Sequence, residues 1–319
     1  MYIAQAFKVQ HDWWRYLIGV IIVIIGISIF SLPHIIAISI KQMQGEADLT
    51  RLDDVNYIMS LFESNINLIY MLLPFMGGLI FLILTSNFLH NQSFTSLTTS
   101  RARIDWNRVW YIFILWGIVS SGMVLLDYFL SPADYVINFE WKPFLMLAII
   151  AFLLVPIQAS FEEYLFRGYL MQGIGVFTKK KWIPLVFTSV VFGMLHIANP
   201  EVEKLGRIIM VYYIGTGLFL GIMTLMDEGL ELAIGFHAAN NLFTALLVTA
   251  DWTAFQTHSI LKDISSPSAA GFTDIFMPVF VVFPIILYIL SKKYNWSDWK
   301  DKLLGEVEEP PKEDYKILE

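Results

Sequence analysis

Eight long runs of apolar residues dominate the chain, at 14–40, 65–89, 109–130, 144–165, 182–198, 208–226, 232–250 and 274–291, with shorter polar segments between them. A helix needs about 20 mostly apolar residues to cross a bilayer. Within hydrocarbon, a helix is the form in which one segment satisfies its own backbone. The pattern predicts an all-α polytopic membrane protein with about eight transmembrane helices, the fifth of them short. The first run follows Arg15 and continues through Pro33 to Ile40 without a small-residue cleavage site, so it reads as a retained signal anchor.

Composition strengthens this picture. Of the 319 residues 56% are hydrophobic and 15% charged, and the mean hydropathy is +0.61, too little polar surface for a soluble domain of this length. A net charge of -7 and the lack of a basic domain outside the apolar runs argue against a nucleic-acid partner. With no cysteine, disulfides, thiolate metal ligands and a cysteine nucleophile are excluded. If the N-terminus is inside, 15 of the 21 Lys and Arg residues fall on the inner side, which predicts cytoplasmic N- and C-termini. After Ser291, Trp296, Trp299 and Leu303 recur at helical spacing ahead of Pro310 and Pro311, predicting a short interfacial helix and then a disordered end.

Against this background the ionisable residues inside the runs stand out, because they are costly there and usually functional. The first group is FEEYLFR. Glu163 and Arg167 are four apart with the acid first, the favourable order for an ion pair on a helix, while Glu162 points about 100° away. Glu162 is therefore the free carboxylate and the candidate general base. His196, in FGMLH, lies 34 residues after Glu162, and the midpoint between them is Lys179 in a basic turn. In an antiparallel hairpin the two would meet at one height. Phe192, one turn before His196, would wall the site from lipid. In GFHAANN, His237 and Asn241 share a helix face and could together stabilise an oxyanion; Asn240 could also turn that way.

Other polar residues draw blander expectations. Asp127 reads as an acid near a loop, and His11, His34, His90 and His258 as solvated residues near helix ends or in loops. Gly215, Gly217 and Gly221 read as points of close helix contact.

Taken in order, EExxxR, FxxxH and HxxxN resemble the three motifs of the CPBP intramembrane protease family, which includes type II CAAX prenyl endopeptidases and bacteriocin-processing or immunity-associated membrane proteins. The resemblance covers roughly Leu145 to Leu247. It implies an eight-helix core in which Glu162 and His196 activate a water, His237 and Asn241 form the oxyanion hole, and Glu163 and Arg167 support the site. The expected organisation is a motif-free N-terminal region at 1–142, a catalytic core at 143–250, an outer loop and last span at 251–291, and a cytoplasmic tail at 292–319.

The expected activity is hydrolysis of a peptide bond, near the cytoplasmic face, in a membrane-associated peptide or protein, which lipid could modify. The expected location is the plasma (cytoplasmic) membrane of a bacterium. No cofactor is required in this reading. The alternative is zinc held by Glu162, His196 and His237 with an open position for water. A non-catalytic immunity or scaffold protein of the same fold is the rival from another class. A transporter is a third reading, disfavoured because repeat symmetry and broken-helix pairs are missing from the sequence.

Overall fold

The computed structural model describes residues 1–52, 54–266 and 272–311. The eight expected runs appear as helices α1 (Trp13–Met43), α2 (Ser64–Leu84), α3 (Trp106–Leu130), α4 (Trp141–Glu163), α6 (Trp182–Met194), α8 (Met210–Asp227), α9 (Glu231–Leu247) and α10 (Phe283–Lys293), and shorter helices α5 (Met171–Thr178), α7 (Pro200–Leu205) and α11 (Trp299–Leu304) lie outside those runs. Six helical segments among the described residues are long and apolar enough to cross a membrane. The other two runs are shorter: α6 has 13 residues and α9 has 17. The fold is an all-α polytopic membrane fold, and α1 shows its outward character in exposed Ile21, Ile24, Ile25 and Ile36.

Helix α9 lies at the centre. It packs against α3 and α4, while α4 also packs on α2, and α8 pairs with α6. Trp116 of α3, Phe219 of α8, Phe236 of α9 and Phe283 of α10 form one buried cluster. Leu72 of α2, Leu147 and Val155 of α4, and Leu242 of α9 form another. Because α9 is enclosed by other helices, its own sequence can carry polar residues that a lipid-facing helix could not.

Close approach of α8 to α6 depends on glycine, as the small-residue spacing predicts. A Cβ at Gly217 would lie 2.8 Å from the Ser189 carbonyl oxygen. At the far end of the bundle, strands β1 (Tyr135–Ile137), β2 (Val248–Thr249) and β3 (Leu261–Asp263) form a small sheet in the order β1-β3-β2.

Between α4 and α5 the chain winds more widely, as a seven-residue π-helix at Tyr164–Leu170. Such segments cluster at functional sites because they re-aim side chains. Gly168 in this segment sits against Leu230, the residue before α9. Residues 169–181 therefore run on past the start of α9, which brings Glu162 and Glu163 level with its second turn.

Two expectations are corrected here. The short helix expected in the tail forms as α11, but the segment does not stand apart as an anchor: Lys181 binds Asp301 at 2.9 Å, the Val307 amide donates to the Lys179 carbonyl, and Val307 is buried beside Ile3 and Phe7. Trp296 donates to Asp227 at 3.2 Å. Docking follows from the N-terminal 3-10 turn Ile3–Lys8, which packs on α5 and leaves an apolar seat for the tail. The expected disorder at the extreme end falls on residues 312–319, outside the described residues.

His90 is not solvated but fully buried, its ring nitrogens bonded to the Gln10 carbonyl at 2.6 Å and the Tyr169 hydroxyl at 2.8 Å. The N-terminal segment folds over the end of α2 and covers it.

Candidate active site

The expected ion pair forms. Arg167 Nη1 donates to Glu163 Oε1 at 3.0 Å, and both side chains are wholly buried. Arg167 Nη2 donates to the Gly217 carbonyl on α8 at 3.1 Å, and its guanidinium lies 4.3 Å from the centre of the Phe192 ring. The arginine thus ties the π segment to α8 and α6, with a charge-assisted hydrogen bond and a cation–π contact replacing its hydration.

His237 of α9 sits between the two glutamates. Its Nδ1 is 2.7 Å from Glu163 Oε1 and its Nε2 is 3.5 Å from Glu162 Oε2. A carboxylate held by arginine only accepts, so Nδ1 carries the proton and Nε2 is the nitrogen turned towards Glu162. Glu162 Oε1 accepts from Gln158 Nε2 at 2.8 Å, while its Oε2 is buried without a hydrogen-bond partner among the described residues.

A directed chain of amides ends at Glu162. Trp116 Nε1 donates to Asn240 at 3.1 Å, Asn240 to Asn241 at 3.1 Å, Asn241 to Gln158 at 3.0 Å, and Gln158 to Glu162. An indole only donates and a carboxylate only accepts, so the two ends fix the orientation of all three amides between them. Asn241 and Asn240 retain a second N–H each.

His196 does not meet Glu162. Its Nδ1 donates to the Phe192 carbonyl at 2.8 Å, its ring stacks on Tyr213 at 4.5 Å, and no hydrogen bond or ion pair joins it to Glu162 among the described residues. Hairpin symmetry about Lys179 fails for two physical reasons. The π segment changes the winding on one arm only, and the helices pair differently: α4 lies against α9, α6 against α8. The carboxylate therefore faces the imidazole of α9. His196 lies beyond the end of α6, towards the end of the bundle opposite the described termini, rather than near the terminal side.

A cavity of about 70 Å³ brings the remaining pieces together, with His196, His237, Asn240, Asn241, Tyr213 and Thr216 among its walls. Phe192 separates it from Arg167, standing edge-on to His237 at 6.0 Å and tilted against His196 at 4.9 Å. This volume suits a few waters, at about 10–15 Å³ each. With Nδ1 engaged, each imidazole has Nε2 as its remaining ring nitrogen.

Zinc was the alternative expectation. Among the described residues no group of three His, Cys, Asp or Glu side chains is placed to hold a metal ion. Glu162 and His237 face each other, but His196 is turned to Phe192 and Tyr213, so the expected three-ligand set does not fit as it stands.

Sequence reasoning missed Gln158, Trp116 and Tyr213. Gln158 had a readable signal, a polar residue one turn before Glu162 in an apolar run. Trp116 and Tyr213 had none, since their importance comes from helix pairing.

Fold and site together define a polytopic helical membrane protein with a buried Glu–Arg–His cluster beside a small polar cavity. Residues 141–243 match a family model described as type II CAAX prenyl endopeptidase Rce1-like. That segment coincides with the helices that carry the three motifs. The chain is also 33% identical, over 170 residues, to the uncharacterized protein YyaK of Bacillus subtilis (strain 168), an alignment covering 52% of this chain and 56% of that protein. The chain thus spans about half the length of the curated relative it matches. No solved structure matches.

Proposed function

We propose that the protein is an intramembrane endopeptidase in which Glu162 activates a water against a peptide carbonyl. The observation that carries this reading is the unpartnered Glu162 Oε2, held in place through Oε1 by Gln158 and set 3.5 Å from His237 Nε2. Glu163 Oε2 is unpartnered as well, but Glu163 is committed through Oε1 to Arg167 and His237, whereas Glu162 is bonded only by a neutral amide and carries no arginine. In this mechanism Glu162 takes a proton as the water oxygen attacks the carbonyl carbon, then passes it to the leaving amine. His196 accepts the water's other hydrogen at Nε2. The spare N–H of Asn241, joined by His237 when Nε2 is protonated, supports the oxyanion. Glu163 and Arg167 hold the His237 ring, and Phe192 keeps the guanidinium away from the reacting groups.

The route without a metal is part of this proposal. Hydrolysis that persists after exhaustive chelation supports it; loss on chelation with recovery on added zinc returns the zinc set to consideration. We also propose that the end bearing the N-terminal turn, the 179–181 turn and the docked tail faces the cytoplasm of a bacterial plasma membrane, because the positive residues concentrate there. The substrate class at this level is a membrane-associated peptide or protein.

The test compares peptides in membranes carrying wild-type protein or Glu162→Gln. Products that disappear in the variant, with folding unchanged, support the enzyme. A biological effect that survives Glu162→Gln favours the immunity or scaffold reading, for which the tightly bonded surroundings of the small cavity are the supporting observation.

A further inference from the structure

An open groove of about 780 Å³ lies at the end of the bundle opposite the N-terminal turn and the docked tail, and its walls include Asp54, Asn56, Asn199, Glu203, Lys204 and Arg207. Its floor begins at Ile197, the residue after His196, which lines the small cavity beside Glu162's partner His237. The groove and the small cavity are thus lined by consecutive residues of the chain.

Charge in the groove is unevenly committed. Lys204 faces Glu203 at 3.7 Å and Asp54 faces Arg51 at 3.5 Å. Arg207 is exposed, and among the described residues its guanidinium has neither a hydrogen bond nor an ion pair, only its backbone carbonyl accepting from the Met210 amide. Gly206, at φ +77°, turns the chain out of α7 and sets Arg207 at the head of the next turn. An arginine fork with no internal carboxylate suits a carboxylate brought by a ligand. Between the charges, Ile197, Ala198, Pro200 and Val202 offer an apolar strip to side chains of an extended segment. A cavity of about 70 Å³ beside the catalytic groups holds waters and a carbonyl, not an isoprenoid chain.

We propose that this groove is the substrate channel, and that the substrate is an extended peptide needing no lipid tail, with a carboxylate that Arg207 takes near the scissile bond. This rests on the peptidase reading and names its substrate class and side of entry.

The experiment uses full-length protein purified in detergent, as wild type, Arg207→Glu, Arg207→Lys and Glu162→Gln. Each receives three matched peptide series, two unprenylated with Asp/Glu or Lys at the varied position and one farnesylated, and products are read by mass spectrometry. Wild type is expected to prefer the acidic series. Arg207→Glu should raise its KM by about ten- to a hundred-fold, the usual worth of a charge-assisted hydrogen bond, with kcat within about two-fold. The same variant should improve KM for the Lys series, and Arg207→Lys should recover part of the loss.

Cleavage that Glu162→Gln abolishes but Arg207→Glu leaves unchanged in both unprenylated series overturns this inference alone. Cleavage confined to farnesylated peptides does the same. If folded wild type cleaves none of the series, the peptidase reading fails and the inference falls with it.

Discussion

Replacing Glu163 by Gln should unfold the protein far more readily than replacing Glu162 by Gln, although the residues are adjacent and the chemical change is the same. Glu163 Oε1 serves two donors, Arg167 at 3.0 Å and His237 at 2.7 Å, and all three side chains are buried. If the loss were merely one interhelical hydrogen bond, the cost would be about 0.6 kcal/mol. The substitution also takes from the Arg167 charge its bonded carboxylate, leaving the Gly217 carbonyl, the Phe192 ring and the more distant Glu162 carboxylate. Uncompensated buried charge costs about 3–5 kcal/mol, so this effect dominates. Glu162→Gln strands no charge and keeps an acceptor for Gln158, so its cost should stay within about 1 kcal/mol. Unfolding of purified protein in one fixed detergent, followed by tryptophan fluorescence, measures both. In the double variant Glu163→Gln/Arg167→Met the stranded charge is gone, and stability should exceed that of Glu163→Gln alone. A Glu163→Gln cost below about 1 kcal/mol, or a double variant whose loss is the sum of the singles, would refute the argument that Glu163 exists to neutralise Arg167.

The amide chain makes a separate prediction: Trp116→Phe removes the donor that orients Asn240, so peptide turnover should fall several-fold at unchanged KM, with a stability loss of about 1–3 kcal/mol from the unsatisfied amide. Equal turnover would show that the chain does not set the orientation of Gln158 and Asn241. Gly217→Ala would place a methyl 2.8 Å from the Ser189 carbonyl, forcing α8 from α6 at a cost of about 1–3 kcal/mol; a neutral effect in the same unfolding assay would contradict that packing. Burial pulls the His90 pKa from 6.5 down to about 4. A folded pKa below the unfolded one gives stability that is complete above about pH 6.5 and lost as pH falls towards 4, since the unfolded chain binds the proton first. His90→Gln should flatten the stability profile across that window, and an unchanged slope would assign it to other groups.

How far the sequence carries can be judged at particular residues. The helices were legible because hydrocarbon demands a minimum apolar length, which a one-dimensional pattern records directly. The ion pair of Glu163 and Arg167 was legible for a similar reason: a four-residue separation keeps the two on one side of the helix, and they bond at 3.0 Å even though the winding widens between them. Helix pairing was not. The expectation that Glu162 meets His196 assumed that consecutive helices are the closest ones, whereas α4 and α6 each take a partner later in the chain. That choice is set by shape, as where Gly217 admits Ser189, and the shape of a pair cannot be read from either helix alone. His90 and Val307 failed to stand out for the same reason, both being covered by chain distant in sequence.

The π segment is where these two levels meet. Residues 164–170 read as ordinary helix, with nothing in their apolar pattern to mark a wider turn. Yet Arg167 must do two things at once: reach Glu163 one turn before it and donate to the Gly217 carbonyl on α8. A change of winding rotates the later residues relative to Glu162 and Glu163, so the arginine can look across to α8 while both glutamates face α9. The local departure from α geometry is thus coupled to the bonding of one buried charge, and the same departure turns Glu162 towards His237 rather than His196. The motif fixes which side chains are present; the winding between them decides which two become neighbours.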